Sequence, residues 1–330
     1  MISHSKIMDY MRVVIADEPL VERVLDDTYP IWHEGLSREA YSKWSRGQLR
    51  TPWGREHLQR FVLLDERDAH VASLKRYRYP VHVDGRDGWM CGIGAVLTAP
   101  AHRGQGHASR LVADVVEQSR AEGALLAGLF SEIGTAFYER LGFSTVALDE
   151  VSVRVTRRDG SPAMLVRSGD ERDLPGLAAM HATRASGARL VLRRDAPLIH
   201  YALAKKRLFA GLSARGSRQL EFFVAEEGAS AVAYVILSQN EYGWTLEEAG
   251  DRDPAGARLG GMLQVLLARE PSHRDPVIRA WWPRTFPVPP QLTLSNRSDP
   301  KDVFMVRPLT GGIEMPPGPE GVFWWRSDYF

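Results

Sequence analysis

The residues best suited to chemistry lie in one stretch of the chain, residues 89–143. A glycine-rich turn, Arg-Gly-Gln-Gly-His-Ala at 103–108, follows an apolar run and opens an amphipathic segment. Glycines allow backbone N–H groups to crowd towards a ligand, and the first turn of a helix presents unpaired N–H groups at the positive end of its dipole. The pattern therefore predicts a site for anionic phosphate groups.

The elements around this turn predict an antiparallel sheet that leads into a strand–turn–helix–strand unit. Residues 11–16, 58–64, 69–79, 89–98 and 124–130 have strand patterns, and helices are predicted over 18–27, from the glycine turn to Gly123, and over 135–141. Residues 143–148 and 151–156 are expected to close this half as a strand pair. The irregular segment 30–57 carries Trp32, Trp44 and Trp53, which either pack in the core or wall a substrate pocket.

This order of elements resembles the GNAT N-acetyltransferase fold, and two motifs carry the resemblance. The run 103–108 is similar to the family's Arg/Gln-x-x-Gly-x-Gly/Ala loop for acetyl-CoA, and the run 131–143 is similar to its aromatic-Tyr-x-x-x-Gly-Phe segment. The resemblance implies an α/β (α+β) fold and acetyl-CoA as cosubstrate. The cofactor-binding residues that it implies are Val96, Leu97, Thr98, Arg103, Gly104, Gln105, Gly106, His107, Ala108 and Ser109.

The resemblance also implies a reaction, acetyl transfer to an amine, and therefore an acid and a base. Tyr138 is the predicted acid, because a phenol of pKa near ~10 can protonate a thiolate of pKa about 8.5 when it is held close to the sulfur. The alternative is a core tyrosine packed through its ring. The identity of the base stays open between Glu132, the terminal carboxylate of Phe330 and water. The structural alternative for Phe330 is that it ends a last strand whose aromatic side chains pack on the second sheet.

The second half repeats the predicted order of strands and helices, so the chain is expected to hold two tandem GNAT domains with mixed central sheets flanked by helices. The predicted boundaries are 1–157 for the catalytic domain and 158–330 for a degenerate domain. In the second half the turn is Gly-Asp-Arg-Asp-Pro-Ala at 250–255, and Asp251 and Asp253 would repel a pyrophosphate. We expect no cofactor in that half.

Two tandem-domain groups within the family are similar to this chain: the fungal lysine N6-acetyltransferases and, more distantly, the mycobacterial enhanced-intracellular-survival acetyltransferase. The run 131–138 is closer to the first group, which implies a small primary amine as substrate, lysine or a lysine-like amine. The alternative is a non-catalytic acyl-CoA-binding regulator. A Rossmann dehydrogenase is disfavoured, because the third glycine of the dinucleotide-binding motif is missing and predicted antiparallel strands precede the turn.

Composition sets the remaining limits. A length of 330 residues favours two domains, and a net charge of +1 gives no global field for nucleic acid or an anionic membrane. The first ten residues lack the apolar core of a signal peptide, and no run is long enough to span a bilayer, which predicts a cytoplasmic protein. Its single cysteine, Cys91, is expected to be buried, and no Cys/His cluster has zinc spacing, so no metal is predicted.

Overall fold

The computed structural model describes residues 11–157, 164–270 and 276–330, so the N-terminal segment 1–10 and the residues just after the predicted boundary at 157 lie outside the described residues. Within these ranges the chain forms two mixed sheets flanked by helices, which confirms the predicted fold class.

The first half begins with one strand and three helices, and the glycine turn leads into a helix of 15 residues. Asp17 and Ser37 cap the first two helices by accepting hydrogen bonds from the N–H groups of Leu20 and Ala40. The strands are β1 Arg12–Ile15, β2 Leu58–Leu64, β3 His70–Val83, β4 Arg86–Thr98, β5 Leu126–Ser131, β6 Ser144–Thr145 and β7 Glu150–Val155. The helices are α1 Glu18–Trp32, α2 Arg38–Arg50, α3 Pro52–His57, α4 His107–Ala121 and α5 Ala136–Glu139.

The second half also runs from a strand through helices and three strands to a further helix, but a short strand separates its first two helices. Its strands are β8 Val166–Ser168, β9 Leu190–Leu192, β10 Arg218–Glu227, β11 Ser230–Asn240, β12 Gly243–Asp251, β13 Ile278–Trp281, β14 Leu292–Ser298, β15 Val303–Pro308 and β16 Val322–Phe323. Its helices are α6 Leu174–Arg184, α7 Ala196–Leu212 and α8 Ala257–Leu267.

The two sheets exchange strands between the halves of the chain. In the first sheet, β15 from the second half lies between β5 and β6 and pairs antiparallel with both. In the second sheet, β7 from the first half lies between β13 and β14. The expected pairing of 143–148 with 151–156 is therefore wrong, because β6 and β7 belong to different sheets.

The two faces of the first sheet have different roles. Phe61 and Leu74 pack in one buried cluster with Leu111 and Val115 of α4. Because side chains alternate across a strand, their chain neighbours Arg60 and Lys75 lie on the opposite face. The thiol of Cys91 is completely buried, as predicted, and burial raises its pKa to about 11.

Over the described ranges, none of the helices combines the length and the apolar character needed to cross a bilayer. The same residues contain no cluster of three or more His, Cys, Asp or Glu side chains arranged to hold a metal ion.

Candidate active site

The glycine turn has the backbone conformation that an anion cradle needs. Gly104 and Gly106 have φ of 77° and 81°, in the left-handed region that favours glycine, and both lie in open space. Gly106 caps α4 without any side-chain hydrogen bond to the first turn of the helix. The N–H groups at the start of α4 are thus left to a ligand or to water.

The side chains of the predicted loop residues play different roles. Arg103 reaches back, and its Nε donates to the carbonyl of Thr98 at 3.4 Å. The His107 ring is buried rather than facing phosphate or solvent, and burial lowers its pKa. Its Nε2 lies 3.4 Å from the side-chain oxygen of Gln105. These contacts brace the turn, and Ala108 and Ser109 lie in the first turn of α4.

Strand β4 separates from β5 next to this turn. The two strands pair in parallel only from Met90 to Ile93 on β4, opposite Leu126 to Leu129 on β5. Beyond that point the register with β3 shifts, and Ala95 adopts a φ of 49°. Because of this bulge and the separation of β4 from β5, the edge of residues 94–98 that faces β5 has no strand partner among the described residues. The predicted residues Val96, Leu97 and Thr98 lie on this edge.

Tyr138 lies on α5, across the opening from the free edge of β4. Its ring is almost fully buried, with Phe137 at a centroid distance of 4.9 Å. Burial, with Glu132 adding repulsion, raises the pKa of the phenol to about 12. The hydroxyl therefore stays protonated at neutral pH and is available as a hydrogen-bond donor.

A cavity of about 580 Å³ lies between the free edge of β4, Tyr138 and residues of both halves of the chain. The predicted residues Leu97 and Thr98 and the glycine turn are not among its lining residues. The residues of 93–96, Glu132 and Tyr138 line one end. The opposite walls come from α1 and α2 and from the second half, through α7 and β10 to β12. Trp32 and Trp44 line the cavity, whereas Trp53 stacks on Tyr79 in the core.

The end of the sequence runs from β16, which pairs with β9, into this cavity. The ring of Phe330 packs on Tyr77 and Tyr79, and a methyl group at Gly94 would lie 3.5 Å from the Phe330 carboxyl carbon. The expectation of a last strand packed on the second sheet is therefore wrong for Phe330.

A buried polar network holds this tail in place. Arg194 contacts the carboxylates of Glu248 and Asp328, and Ser327 donates to Glu248 at 2.6 Å. Nearer the cavity, the amine of Lys205 donates to the carbonyl of Tyr329 at 2.9 Å. Because the tail is anchored by second-half residues, the second half helps to shape the cavity.

The two predicted carboxylate bases lie at the same end of the cavity. Glu132 is exposed, and one of its oxygens accepts a hydrogen bond from the Tyr329 hydroxyl at 3.2 Å. Both Glu132 and Phe330 line the cavity together with Tyr138. The choice between them stays a prediction.

The equivalent turn of the second half is closed by the chain itself. Asp251 is buried, and its two carboxylate oxygens accept from the N–H groups of Leu259, in the first turn of α8, and of Asp253. Arg184 donates to the carbonyls of Asp251, Asp253 and Pro254. A phosphate would have to displace this carboxylate.

Sequence reasoning missed the cationic residues of the cavity, among them Arg60, Lys75 and Lys205. Each lies within a strand or helix pattern, where a single basic residue is typical of a solvated face. A signal was present in β2. Arg60 is the one polar residue on the face of the strand that also carries Leu58, Val62 and Leu64.

Comparison with known families bears on the first half. Residues 23–146 match the family model described as acetyltransferase (GNAT) domain. This stretch of the chain is therefore similar to GNAT acetyltransferase domains, which supports an acyltransferase enzyme. The glycine turn, the free edge of β4 and Tyr138 all lie within the matched residues.

Solved structures share the fold over most of the chain. A GCN5-related N-acetyltransferase from Kribbella flavida is 18% identical, with a TM-score of 0.64 over 93% of this chain and 72% of its own. One from Anabaena variabilis is 13% identical, with a TM-score of 0.66 over 91% and 73%. Saccharomyces cerevisiae N-myristoyltransferase, solved with bound myristoyl-CoA, is 11% identical, with a TM-score of 0.52 over 91% and 83%. No curated protein matches the sequence significantly.

Proposed function

We propose that the chain transfers an acetyl group from acetyl-CoA to the primary amine of a small molecule. The observation that carries this proposal is the cavity in which the free edge of β4, the Tyr138 hydroxyl and a wall from the second half meet. Acetyl-CoA fits the residues present, because open backbone N–H groups at α4 suit its pyrophosphate and an unpaired strand edge suits its pantetheine amides. It supplies the activated thioester.

The chain's own residues then have distinct tasks. Backbone N–H groups of 104–109 hold the phosphates, and the edge at 96–98 orients the pantetheine arm. A base, Glu132 or the Phe330 carboxyl group, takes a proton from the amine, whose nitrogen forms the new C–N bond as the C–S bond breaks.

Tyr138 is placed to assist the leaving sulfur. Its pKa of about 12 exceeds that of an ordinary thiol, about 8.5, so full proton transfer is uphill. The main contribution of the hydroxyl is a hydrogen bond to charge that develops on sulfur, and the thiolate then gains a proton through this group from solvent.

We further propose that the first 157 residues hold the only acetyl-CoA site and that 158–330 supply acceptor walls. The buried contact of Asp251 with the first turn of α8 supports this division. The acceptor class, lysine or a lysine-like amine, rests on the resemblance of 131–138 to the fungal lysine N6-acetyltransferases.

The test is an amine panel incubated with acetyl-CoA, with free thiol and acetylated amine both quantified. We expect both products in equal amounts with at least one small primary amine. Tight acetyl-CoA binding with no thiol released by any amine would contradict the proposal and favour an acyl-CoA-binding regulator.

A further inference from the structure

One wall of the cavity carries three cationic side chains close together. Arg60 on β2 and Lys75 on β3 are direct cross-strand partners on the same face of the sheet. Lys205 on α7 completes the group from the second half. Burial, reinforced by Arg60 and Lys205, holds the pKa of the Lys75 amine well below its usual value.

These cations lack the carboxylate partners that buried charges normally have. Arg60 is only 5% exposed, and its Nη1 has no hydrogen-bond partner among the described residues. Lys75 donates only to a neutral amide oxygen, that of Gln48, at 3.3 Å. Over the residues that the structure describes, no carboxylate oxygen lies within 4.0 Å of Arg60, Lys75 or Lys205.

Two of the carboxylates that line the cavity are engaged elsewhere. Glu247 pairs with Lys206 at 2.8 Å, and Glu34 pairs with Arg218 at 3.4 Å. A buried, unpaired guanidinium costs free energy unless a ligand supplies the missing charge. Burial lowers the pKa of the Lys75 and Lys205 amines, to about 7 for Lys205, so the lack of a negative partner falls mainly on the guanidinium of Arg60 in the absence of a ligand.

The phosphates of acetyl-CoA are not the partners of this wall. Arg60 and Lys75 lie on the face of the sheet opposite α4, since their chain neighbours Phe61 and Leu74 pack beneath that helix. The glycine turn that suits the phosphates begins α4. Of the chain's own carboxyl groups, that of Phe330 lies against Gly94 and not within 4.0 Å of Arg60 or Lys75. The second substrate is therefore the candidate source of the missing anion.

Building on the proposed function, we propose that the acceptor is an amine that also carries a carboxylate, and that Arg60, Lys75 and Lys205 bind this carboxylate. A guanidinium fork matches a carboxylate with two parallel hydrogen bonds. The acceptor thus enters the cavity with its anionic end at β2 and β3 and its amine at β4.

The order of the strands indicates how far the carboxylate and the amine of the acceptor lie from each other. Arg60, Lys75 and Gly94 are consecutive cross-strand partners on β2, β3 and β4. Two strand spacings, about 10 Å, separate β2 from the strand whose free edge borders the reacting group. This separation favours an ω-amino acid over an α-amino acid whose reacting amine adjoins the carboxylate.

The experiment compares 6-aminohexanoate with hexylamine, which has the same chain and amine but no carboxylate. For the unmodified chain we expect kcat/KM to favour 6-aminohexanoate by about 10- to 100-fold, the range for a charged hydrogen bond to a buried group. In Arg60→Met and Lys75→Met this preference should fall towards one. In the matched control Arg218→Met it should persist, because that guanidinium lines the same cavity but pairs with Glu34.

A second readout does not depend on turnover. The reaction product 6-acetamidohexanoate should raise the Tm of the unmodified chain more than N-hexylacetamide does, and this difference should vanish in Arg60→Met. Equal kcat/KM for the two amines, or equal shifts from the two amides, would overturn the carboxylate subsite while leaving acetyl transfer intact. Preference for 6-aminohexyl phosphate over the carboxylate would overturn the carboxylate assignment. Failure of every amine to release thiol would instead defeat the proposed function, and the amide shifts would still test the subsite.

Discussion

Asp251 accepts a hydrogen bond from the backbone N–H of Leu259 at 2.9 Å, inside the first turn of α8. The second half thus fills its own helix N-terminus with a carboxylate, while the start of α4 in the first half has no side-chain cap. The same type of helix start is closed in one half and open in the other.

The first prediction concerns the stoichiometry of acetyl-CoA binding. Calorimetric titration should give one acetyl-CoA per chain for the unmodified protein and for Asp251→Ala. The substitution should lower the free energy of unfolding by about 1–3 kcal/mol, because it leaves buried N–H groups unpaired. A second binding event in Asp251→Ala would show that the carboxylate alone closes a functional site.

The second prediction separates ligand binding from backbone strain at the glycine turn. Gly106→Val should weaken acetyl-CoA binding by about 10-fold or more, since a β-branched residue disfavours a φ of 81° at the anion cradle. Gly85→Val is the matched control, because Gly85 has a φ of 77° and open surroundings in the turn between β3 and β4. Similar losses of affinity in the two variants would assign the effect to strain.

The third prediction concerns the acid. Tyr138→Phe should lower kcat by about 10- to 100-fold with little change in acetyl-CoA affinity, because it removes a donor that acts only as charge develops on sulfur. Tyr41→Phe is the control, because Tyr41 lines the same cavity but its hydroxyl donates to the Thr28 hydroxyl at 3.1 Å. Parallel losses of kcat and affinity in Tyr138→Phe would mark a structural role.

The fourth prediction addresses the base. Adding one glycine after Phe330 moves the free carboxylate away from Gly94, and we expect kcat to fall by about 100-fold, at the lower end of general base contributions. Glu132→Gln keeps the tail intact and tests the other carboxylate. Unchanged turnover of the extended chain, with a loss in Glu132→Gln, would assign the base to Glu132.

The fifth prediction is a pH dependence of stability. Burial, with Arg194 adding repulsion, lowers the pKa of His181 from 6.5 to about 4. Because the folded value lies below the unfolded one, the stabilisation is complete above pH 6.5 and is lost as the pH falls towards 4. At about 1.4 kcal/mol per pKa unit, this loss is on the order of 3 kcal/mol.

Asp328 contributes with the opposite sign. Burial raises its pKa from 3.8 to about 6, so its stabilisation is complete below pH 3.8 and is lost as the pH rises through 6. The free energy of unfolding, measured with urea between pH 4 and 7, should therefore fall less steeply towards acid pH in His181→Asn than in the unmodified chain. His200→Asn is the control, because His200 is partly exposed. An equal change in that variant would contradict the assignment of the pH dependence to His181.

Local patterns predicted much of the first half. The limits of β2 agree with the sequence, and the glycine turn begins a helix as its spacing indicates. These features could be predicted because turn residues and the spacing of apolar residues determine local structure from positions close together in the chain.

The features that sequence reasoning missed depend on distant residues. Nothing local to 303–308 shows that β15 lies between β5 and β6, and nothing near Arg60 shows that a helix of the second half lines the same cavity. The position of Phe330 likewise requires room above Gly92 and Gly94, which only the folded sheet reveals. Long-range pairing of this kind leaves no periodic signal in either partner.

The exchange of β7 and β15 has a consequence for biosynthesis. During translation, β5 remains an edge strand until residues 303–308 have left the ribosome, so neither sheet can be completed while only the first half has emerged. An unpaired apolar edge is exposed to intermolecular pairing for that whole interval. A chain interrupted at the midpoint should aggregate rather than yield a small independent enzyme, and nascent-chain folding should be late and concerted.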